Sequence, residues 1–211
     1  MKHIPHLVLN EPWKAEFLRL SDMQRHHLVK VLRMSPGDVV TYTDGRGILG
    51  RGEVLEQVVR RGEEEHLPRP TNLTVVTAPP ASKNRLRFLV EKLAELGTRR
   101  LMWLNTRYGK NHLVGHDRLL AWVVAATEQS RGAWMMDVGE RLVGWDDLEA
   151  EVVVCQQGGD KMTPNVETVV IGPEGGFADD EIPLDVPRWE LGPNILRIET
   201  AAITAVAKLS G

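Results

Sequence analysis

Two Gly-Pro turns in the last third of the chain carry the residues whose types and spacing suggest chemistry. The first lies in IGPEGGFADDEI, residues 171–182, and the second in LGPNILRIETAAITAVAKL, residues 191–209. Each turn has an apolar, strand-like lead, and a helix is predicted after each. The first turn carries Glu174, and the second leads to Arg197. A ligand between them would meet backbone groups, apolar side chains and one charge of each sign.

The first turn is built for close contact with a ligand. Its glycines permit backbone angles that other residues avoid and leave the main chain accessible. Pro173 stiffens the turn. Glu174 occupies the centre, where a phosphate-binding loop would avoid negative charge, so a neutral or partly cationic ligand fits better. Asp179 and Asp180 are predicted near a helix start, where they favour the helix dipole and have a structural role.

The second turn offers apolar walls. Leu191, Ile195 and Leu196 are expected to flank an adenine-sized slot. Arg197 and Glu199 bracket the start of the last helix, which is apolar on most sides and is therefore predicted to be buried. On composition alone, these two charged residues form a structural pair at the helix N-terminus.

A second glycine pattern, in DGRGILG, matches a dinucleotide-binding fingerprint by letter. That fingerprint requires a helix directly after Gly45, Gly47 and Gly50, whose N-terminus holds a pyrophosphate. The following RGEVLEQVV is strand-like, so a glycine-rich hairpin turn is the better interpretation. A Gly-Lys-Ser/Thr sequence is also missing from the chain, which argues against nucleotide hydrolysis.

The secondary-structure elements that must position these turns follow two different patterns along the chain. The first part is β-rich, with a hairpin predicted over residues 39–59. A charged, proline-bearing linker is predicted at residues 62–72. Beyond it, strand-like runs (LTVVTAPP, LMWL, EVVVC, TVVIG, RWELG) and helical patterns (KNRLRFLVEKLAELG, DRLLAWVVAATEQS, ETAAITAVAKL) indicate an α/β domain with a mostly parallel sheet.

Composition places the chain among ordinary intracellular proteins. The 211 residues include one cysteine, so no intrachain disulfide can form, and a reducing cytoplasm is expected. The N-terminus has no apolar core of signal-peptide length, and the longest apolar run, residues 119–126, is too short to span a membrane. We therefore predict a soluble, cytoplasmic protein.

Charge is unevenly distributed. The net charge is only -3, but residues 82–118 carry nine basic residues against three acidic ones. Such a basic block is typical of a polyanion-binding surface, and a solvated helix face explains it equally well.

The paired turns closely resemble the C-terminal signature of the SPOUT methyltransferases, specifically the RsmE family of 16S ribosomal RNA uridine-N3 methyltransferases. The resemblance runs along most of the chain. HHLVKVLRMSPGD with TDG is similar to the family's N-terminal PUA-like β-barrel, and KNRLRFLVEKLAELG, LNTRYG and ATEQS are similar to its middle blocks.

The family resemblance implies a two-domain protein. Residues 1–68 would form the PUA-like β-barrel that binds RNA, and residues 72–211 a trefoil-knotted SPOUT domain that binds S-adenosylmethionine. It also implies a homodimer and no metal. By resemblance, the donor pocket comprises Gly172, Pro173, Glu174, Gly175, Gly176, Leu191, Gly192, Ile195, Leu196, Arg197, Thr200 and Ala201.

The sequence departs from the family in two places. The family usually reads Glu-Gln-Ser-Gly-Arg, whereas here Arg131 precedes Gly132, and it usually has glutamate where Thr106 stands. These departures concern RNA positioning and the dimer contact. The segment after Cys155, QQGGDK, is also a weak match, and we expect it to lie outside the donor site.

The chemistry implied by the resemblance is removal of the uridine N3 proton and attack on a methyl carbon. We assign Arg197 to stabilising the uridine anion. Glu199 would orient Arg197 or relay the proton, and His112 and His116 are weaker candidates for a base. The predicted RNA-contacting residues, expected to hold phosphates without reading sequence, are Arg19, His27, Lys30, Arg33, Lys83, Arg85, Arg87 and Arg107.

Three alternatives remain open from the sequence. The same chemistry could act on another RNA base, or the chain could be an inactive RNA-binding ribosome-assembly factor, which would not bind the methyl donor. A nucleotide-dependent hydrolase or oxidoreductase is disfavoured by the motifs and would bind ATP or NAD.

Overall fold

A computed structural model of the chain describes residues 4–9, 13, 16–110, 112–148, 151–161 and 166–209. Two compact units emerge from its contacts. The first comprises Met1–Arg69 and Thr127–Met135, and the second comprises Pro70–Ala126 and Met136–Gly211. The domain limits 1–68 and 72–211 stay a prediction, and the first unit differs from them by taking in residues 127–135.

The first unit is a six-stranded, mostly antiparallel sheet with one short helix. Its elements are β1 (His6–Val8), β2 (Phe17–Arg19), α1 (Asp22–His26), a π-helical turn (His27–Val31), β3 (Val39–Thr43), β4 (Ile48–Val54), β5 (Val58–Arg60) and β6 (Glu64–His66). The strand order is β1-β3-β4-β5-β2, with β6 on β4. Strands β3 and β4 pair antiparallel, which confirms the predicted hairpin.

The glycines of DGRGILG serve this hairpin. Gly45 and Gly47 have positive φ angles of 72° and 109° in the turn between β3 and β4. Gly50 lies within β4, and a Cβ there would be 2.2 Å from Cε2 of the buried Tyr42. No helix follows these glycines, so they do not form a pyrophosphate site. Gly45 and Gly47 serve the turn, and Gly50 leaves room for the Tyr42 ring.

The second unit is an α/β layer structure. It contains β7 (Thr74–Thr77), α2 (Lys83–Glu95), β8 (Arg100–Leu104), α3 (His116–Ser130, its last turn in the first unit), β9 (Asp137–Val143), a 3-10 turn (Trp145–Asp147), β10 (Val152–Lys161), β11 (Thr168–Ile171), β12 (Arg188–Glu190) and α4 (Ile198–Leu209). The strand order is β12-β10-β11-β7-β8-β9, and every pairing is parallel. The predicted parallel sheet is confirmed; the trefoil knot stays a prediction.

The helices cover the sheet through their apolar faces. In α2 the buried residues Leu86, Leu89, Val90 and Leu93 recur at helical spacing. Helix α4 packs against α2, β7 and β11, and its alanines at 201, 202 and 205 are buried at this contact. The predicted burial of the last helix is confirmed.

The helix predicted after the first Gly-Pro turn is wrong. Residues 178–186 form turns, and Pro183 and Pro187 punctuate them. The Glu181 carboxylate accepts hydrogen bonds from the backbone N–H groups of Ala178 and Arg107. These turns therefore satisfy backbone donors with a side chain, where a helix would use its own carbonyls.

None of the described helices is long and apolar enough to cross a membrane.

Candidate functional site

A cavity of about 690 Å³ opens at the carboxyl ends of two parallel strands, β11 and β12, and beside the middle of β10, which lies between them. Cys155 on β10 pairs in register with Ile171 on β11 and with Trp189 on β12, so β11 and β12 end at one edge of the sheet, and β10 passes this edge with a register shift between Cys155 and Asp160. Ligands of open parallel sheets bind at this edge, where loops rather than strands meet. The cavity lies wholly within the second unit.

Both Gly-Pro turns line this cavity. From the first turn come Gly172, Pro173, Glu174, Gly175 and Gly176; from the second segment come Leu191, Gly192, Ile195, Leu196, Arg197 and Ala201. Thr200 is exposed and is not among the lining residues. The fold thus brings the predicted residues of the two turns to one cavity, although the two sets are at least 15 residues apart in sequence.

Local geometry explains the glycines of the first turn. Gly176 has a φ of 73°, and its N–H donates to the Pro173 carbonyl at 2.9 Å, which closes a tight turn. A Cβ at Gly172 would lie 2.9 Å from the Phe177 ring. The glycine at 172 therefore makes room for Phe177, whereas the glycine at 176 is needed for its backbone angle.

The middle of β10 also lines the cavity, through Cys155, Gln156 and Gln157. The expectation that this segment lies outside the donor site stays a prediction, although the segment borders the cavity. Gln157 Nε2 donates to the Pro193 carbonyl at 3.3 Å, and Arg188 Nε donates to Gln156 Oε1 at 3.1 Å. Because β10 lies between β11 and β12, its residues beyond Cys155 run alongside the segment that follows β12, whatever their sequence.

Arg85 is the main lining residue that the sequence assigned elsewhere. It was predicted to contact RNA, but it lines the cavity and binds two carboxylates, those of Glu174 and Glu199. Its Nε donates to Glu199 Oε1 at 2.9 Å and its Nη2 to Glu199 Oε2 at 2.7 Å. The arginine holds the pKa of the Glu199 carboxyl below its usual value.

Arg197 and Glu199 are not a pair. Glu199 is buried in the first turn of α4 and gives both carboxylate oxygens to Arg85, whereas Arg197 lies exposed at the cavity, just before the helix. The predicted pairing of Arg197 with Glu199 is therefore replaced by pairing with Arg85. Arg197 contributes only a weak, through-space lowering of the Glu199 pKa.

The other predicted RNA-contacting residues are exposed. In the first unit, Arg19 ends β2, His27 and Lys30 lie on the π-helical turn, and Arg33 follows it with a φ of 54°. In the second unit, Lys83 begins α2, Arg87 pairs with Glu91 at 2.6 Å, and Arg107 pairs with Asp180 at 2.8 Å.

The two candidate histidines do not line the cavity. His112 is exposed, and His116 Nε2 lies 3.3 Å from a carboxylate oxygen of Glu140 at the start of α3. Among the described residues, no cluster of His, Cys, Asp and Glu is suited to a metal ion.

Comparison with known proteins relates both parts of the chain to RNA methyltransferases. A family model described as an RNA methyltransferase domain matches residues 67–210, and one described as an RNA methyltransferase PUA domain matches residues 20–56. A Rickettsia conorii protein named ribosomal RNA small subunit methyltransferase E is 28% identical, over 90% of this chain and 87% of its own length.

Solved structures agree. A ribosomal RNA small subunit methyltransferase E from Neisseria gonorrhoeae, bound to S-adenosyl methionine, has a TM-score of 0.83 and 26% identity, covering 98% of this chain and 96% of that one. A probable rRNA-methyltransferase from Porphyromonas gingivalis has a TM-score of 0.82 at 22% identity, covering 97% and 96%, and shares the fold. With the domain match spanning most of its length, the chain belongs to the RNA methyltransferase domain family, as an RsmE-type member.

Proposed function

We propose that the protein is an S-adenosylmethionine-dependent methyltransferase that methylates N3 of a uridine in 16S ribosomal RNA of the small subunit. One observation carries the proposal: both Gly-Pro turns meet at one cavity with an arginine, Arg197, among its lining residues. The membership in an RNA methyltransferase family and the names of its relatives support it.

The cavity suits the methyl donor in size and lining. Its volume of about 690 Å³ lies within the range of small-molecule sites, roughly 300–1,000 Å³. Leu191, Ile195 and Leu196 provide apolar surface for an adenine ring, and the glycine-rich turn presents backbone groups. Glu174 is compatible with a cationic ligand, and S-adenosylmethionine when bound supplies a methyl group on a positively charged sulfur.

The residues of the chain would act on the nucleoside. For N3 to accept a methyl group, its proton must leave and the resulting negative charge must be stabilised. Arg197 is exposed and lines the cavity, so its guanidinium is available to bind the uracil carbonyl oxygens and lower the energy of the anion. Holding base and donor in line would supply further acceleration.

Glu199 is a poor proton acceptor in this arrangement. Both of its carboxylate oxygens accept hydrogen bonds from Arg85, and its pKa is lowered by that contact. A base with a lowered pKa has little driving force for taking a proton. Of the two roles predicted for Glu199, relay of the proton is therefore the weaker, and orientation of the site, through Arg85, is favoured.

RNA would be held through phosphates on the exposed basic residues of both units, with the protein acting in the cytoplasm as a homodimer. The PUA-domain match covers Lys30 and Arg33, which supports an RNA contact in the first unit. Arginine and lysine at such positions fix the RNA without reading its sequence.

The test is transfer of labelled methyl groups from S-adenosylmethionine to small ribosomal subunits that lack the modification, with mass analysis of the nucleosides. The expected product is 3-methyluridine. The Arg197→Ala variant should lose transfer while keeping part of its donor binding, and Arg118→Ala, an exposed change on α3, should behave as wild type. An unchanged rate in Arg197→Ala would remove the role given to that residue.

Two negative outcomes point to different functions. Donor binding without transfer to subunits or naked RNA would favour another RNA substrate. Absence of donor binding would favour an inactive RNA-binding assembly factor.

A further inference from the structure

Arg85 connects three elements that are far apart in sequence. It lies in the first turn of α2 and binds Glu174, on the turn after β11, and Glu199, in the first turn of α4. The Nη1 group contacts Glu174, while Nε and Nη2 bind the two oxygens of Glu199. One guanidinium thus joins the two segments whose Gly-Pro turns line the cavity.

The placement of Arg85 is unfavourable for its own helix. A positive charge in the first turn opposes the helix dipole, and the first turn of α2 contains no acidic residue. The N-terminal residue before the helix, Ser82, makes no side-chain capping bond either. An arginine at this position does not stabilise its own helix. We therefore attribute its presence to its two long-range contacts, with Glu174 and Glu199.

The two contacts differ in strength. The Glu199 side chain is 10% exposed and the Arg85 side chain 24%, so this forked ion pair is largely shielded from water. The Glu174 side chain is 45% exposed, so its contact is screened and weaker. Glu199 therefore fixes the guanidinium, and the fixed guanidinium holds the Glu174 turn.

We infer that Arg85 is a positioning residue for the methyl donor: anchored by Glu199, it sets the position of the turn 172–176 through Glu174. The inference rests on the proposed function, because it concerns the same cavity. Arg85 would act through the turn and need not touch the RNA, which replaces its predicted role as a phosphate contact.

The experiment measures dissociation constants by calorimetry for S-adenosylmethionine and for its product, S-adenosylhomocysteine, which lacks the positive charge. In Arg85→Ala both should rise by about tenfold or more, as expected for losing a charged hydrogen bond. The dissociation constants of Arg85→Lys should lie between those of wild type and Arg85→Ala, because an ammonium group cannot bind two carboxylates in the forked geometry of a guanidinium. The matched control is Lys92→Ala, which removes another ion pair of α2, with Glu95, away from the cavity.

The pair of ligands separates position from charge. A displaced turn weakens both ligands by a similar factor. If Arg85 acted only by its charge, its removal would weaken the cationic donor less than the product, and this result would overturn the inference. Equal affinities in wild type and Arg85→Ala would overturn it as well.

A double-mutant cycle tests the route through Glu174. Glu174→Gln alone should weaken both ligands, and adding it to Arg85→Ala should cause little further loss, because the two changes break one contact. Fully additive losses would contradict the coupling. If Arg85→Ala does not fold, Arg85→Lys and Glu174→Gln still decide the question. Failure of the wild type to bind either ligand would instead reject the proposed function.

Discussion

Arg85 and Glu199 form a forked ion pair, with nitrogen–oxygen distances of 2.9 and 2.7 Å, between the first turns of α2 and α4. Because the pKa of the Glu199 carboxyl in the folded protein lies below its ordinary value of 4.5, the pair contributes its full stability only above this pH. That contribution disappears as the pH falls through the folded pKa, when the carboxylate takes up a proton.

The first prediction follows from this pH dependence. Arg85→Ala should lower the free energy of unfolding at pH 7 by about 2 kcal/mol, as a buried carboxylate loses its charged partner. At pH 3 the difference from wild type should shrink. Urea unfolding of both proteins at the two pH values measures this difference in the free energy of unfolding. A difference that stays constant with pH would contradict the role of ionised Glu199.

The second prediction concerns the hairpin of the first unit. Gly50→Ala would place a Cβ 2.2 Å from the Tyr42 ring, whose hydroxyl is fixed by a 2.8 Å hydrogen bond to Glu64. We expect a loss of about 2–3 kcal/mol from overpacking, seen as a lower midpoint of thermal unfolding. The control is Gly132→Ala, where a Cβ meets ordinary contacts of 3.5 Å or more.

The third prediction measures the backbone cost of one departure from the family pattern, the arginine at position 131 where the family usually has glycine. Arg131 follows the end of α3 with a φ of 59°, the position at which helices favour glycine, and the adjacent Gly132 N–H donates to the Thr127 carbonyl. Arg131→Gly should be more stable than Arg131→Ala by about 0.5–1 kcal/mol. Both variants lose the bond to the Ile4 carbonyl, so the comparison isolates the backbone. Equal stabilities would show that the backbone is unstrained.

The fourth prediction concerns the thiol at the cavity. Burial raises the pKa of Cys155 from 9.0 to about 12. At pH 8 this lowers the thiolate fraction about a thousandfold, so alkylation of the native protein should be slower by a similar factor than that of the unfolded chain. Mass spectrometry gives a single-site rate, because the chain has one cysteine. Rapid labelling of the native protein would mean that the thiol is accessible and ionised.

The fifth prediction tests the RNA-contacting residues. Reversing charge at Arg33 and Arg87 together should weaken RNA binding and make its dependence on salt concentration shallower, since fewer phosphate contacts release fewer counterions. Titrations at several salt concentrations measure both effects. If affinity and slope are unchanged, these residues do not form the RNA surface.

Much of the second unit follows from its sequence because its signals are local. The apolar runs that lead into Thr77, Leu104 and Ile171 are buried strands, as continuous apolar runs in parallel sheets are. The two Gly-Pro turns mark strand ends, and the rule that such ends share one edge of a sheet brings the turns together.

The remainder depends on long-range contacts. Strand β9 was not predicted because it is an edge strand with exposed polar positions such as Glu140 and Arg141. The partner of Glu199 is 114 residues away, at Arg85, and no local pattern distinguishes an arginine that reaches a carboxylate from one that faces water. The available signal was a positive charge in the first turn of a predicted helix, with no acidic residue in that turn.

The dependence of the cavity on residues 191–201 has a consequence for newly made protein. A growing chain that has not yet released this segment has the sheet edge at β10 and β11 but lacks the lining residues of the second turn. Bound ligand stabilises only a conformation that already contains its site. Any structure that the second unit gains before residues 191–201 emerge therefore forms without help from its small-molecule ligand, and cellular supply of that ligand stabilises the protein only once this segment is in place.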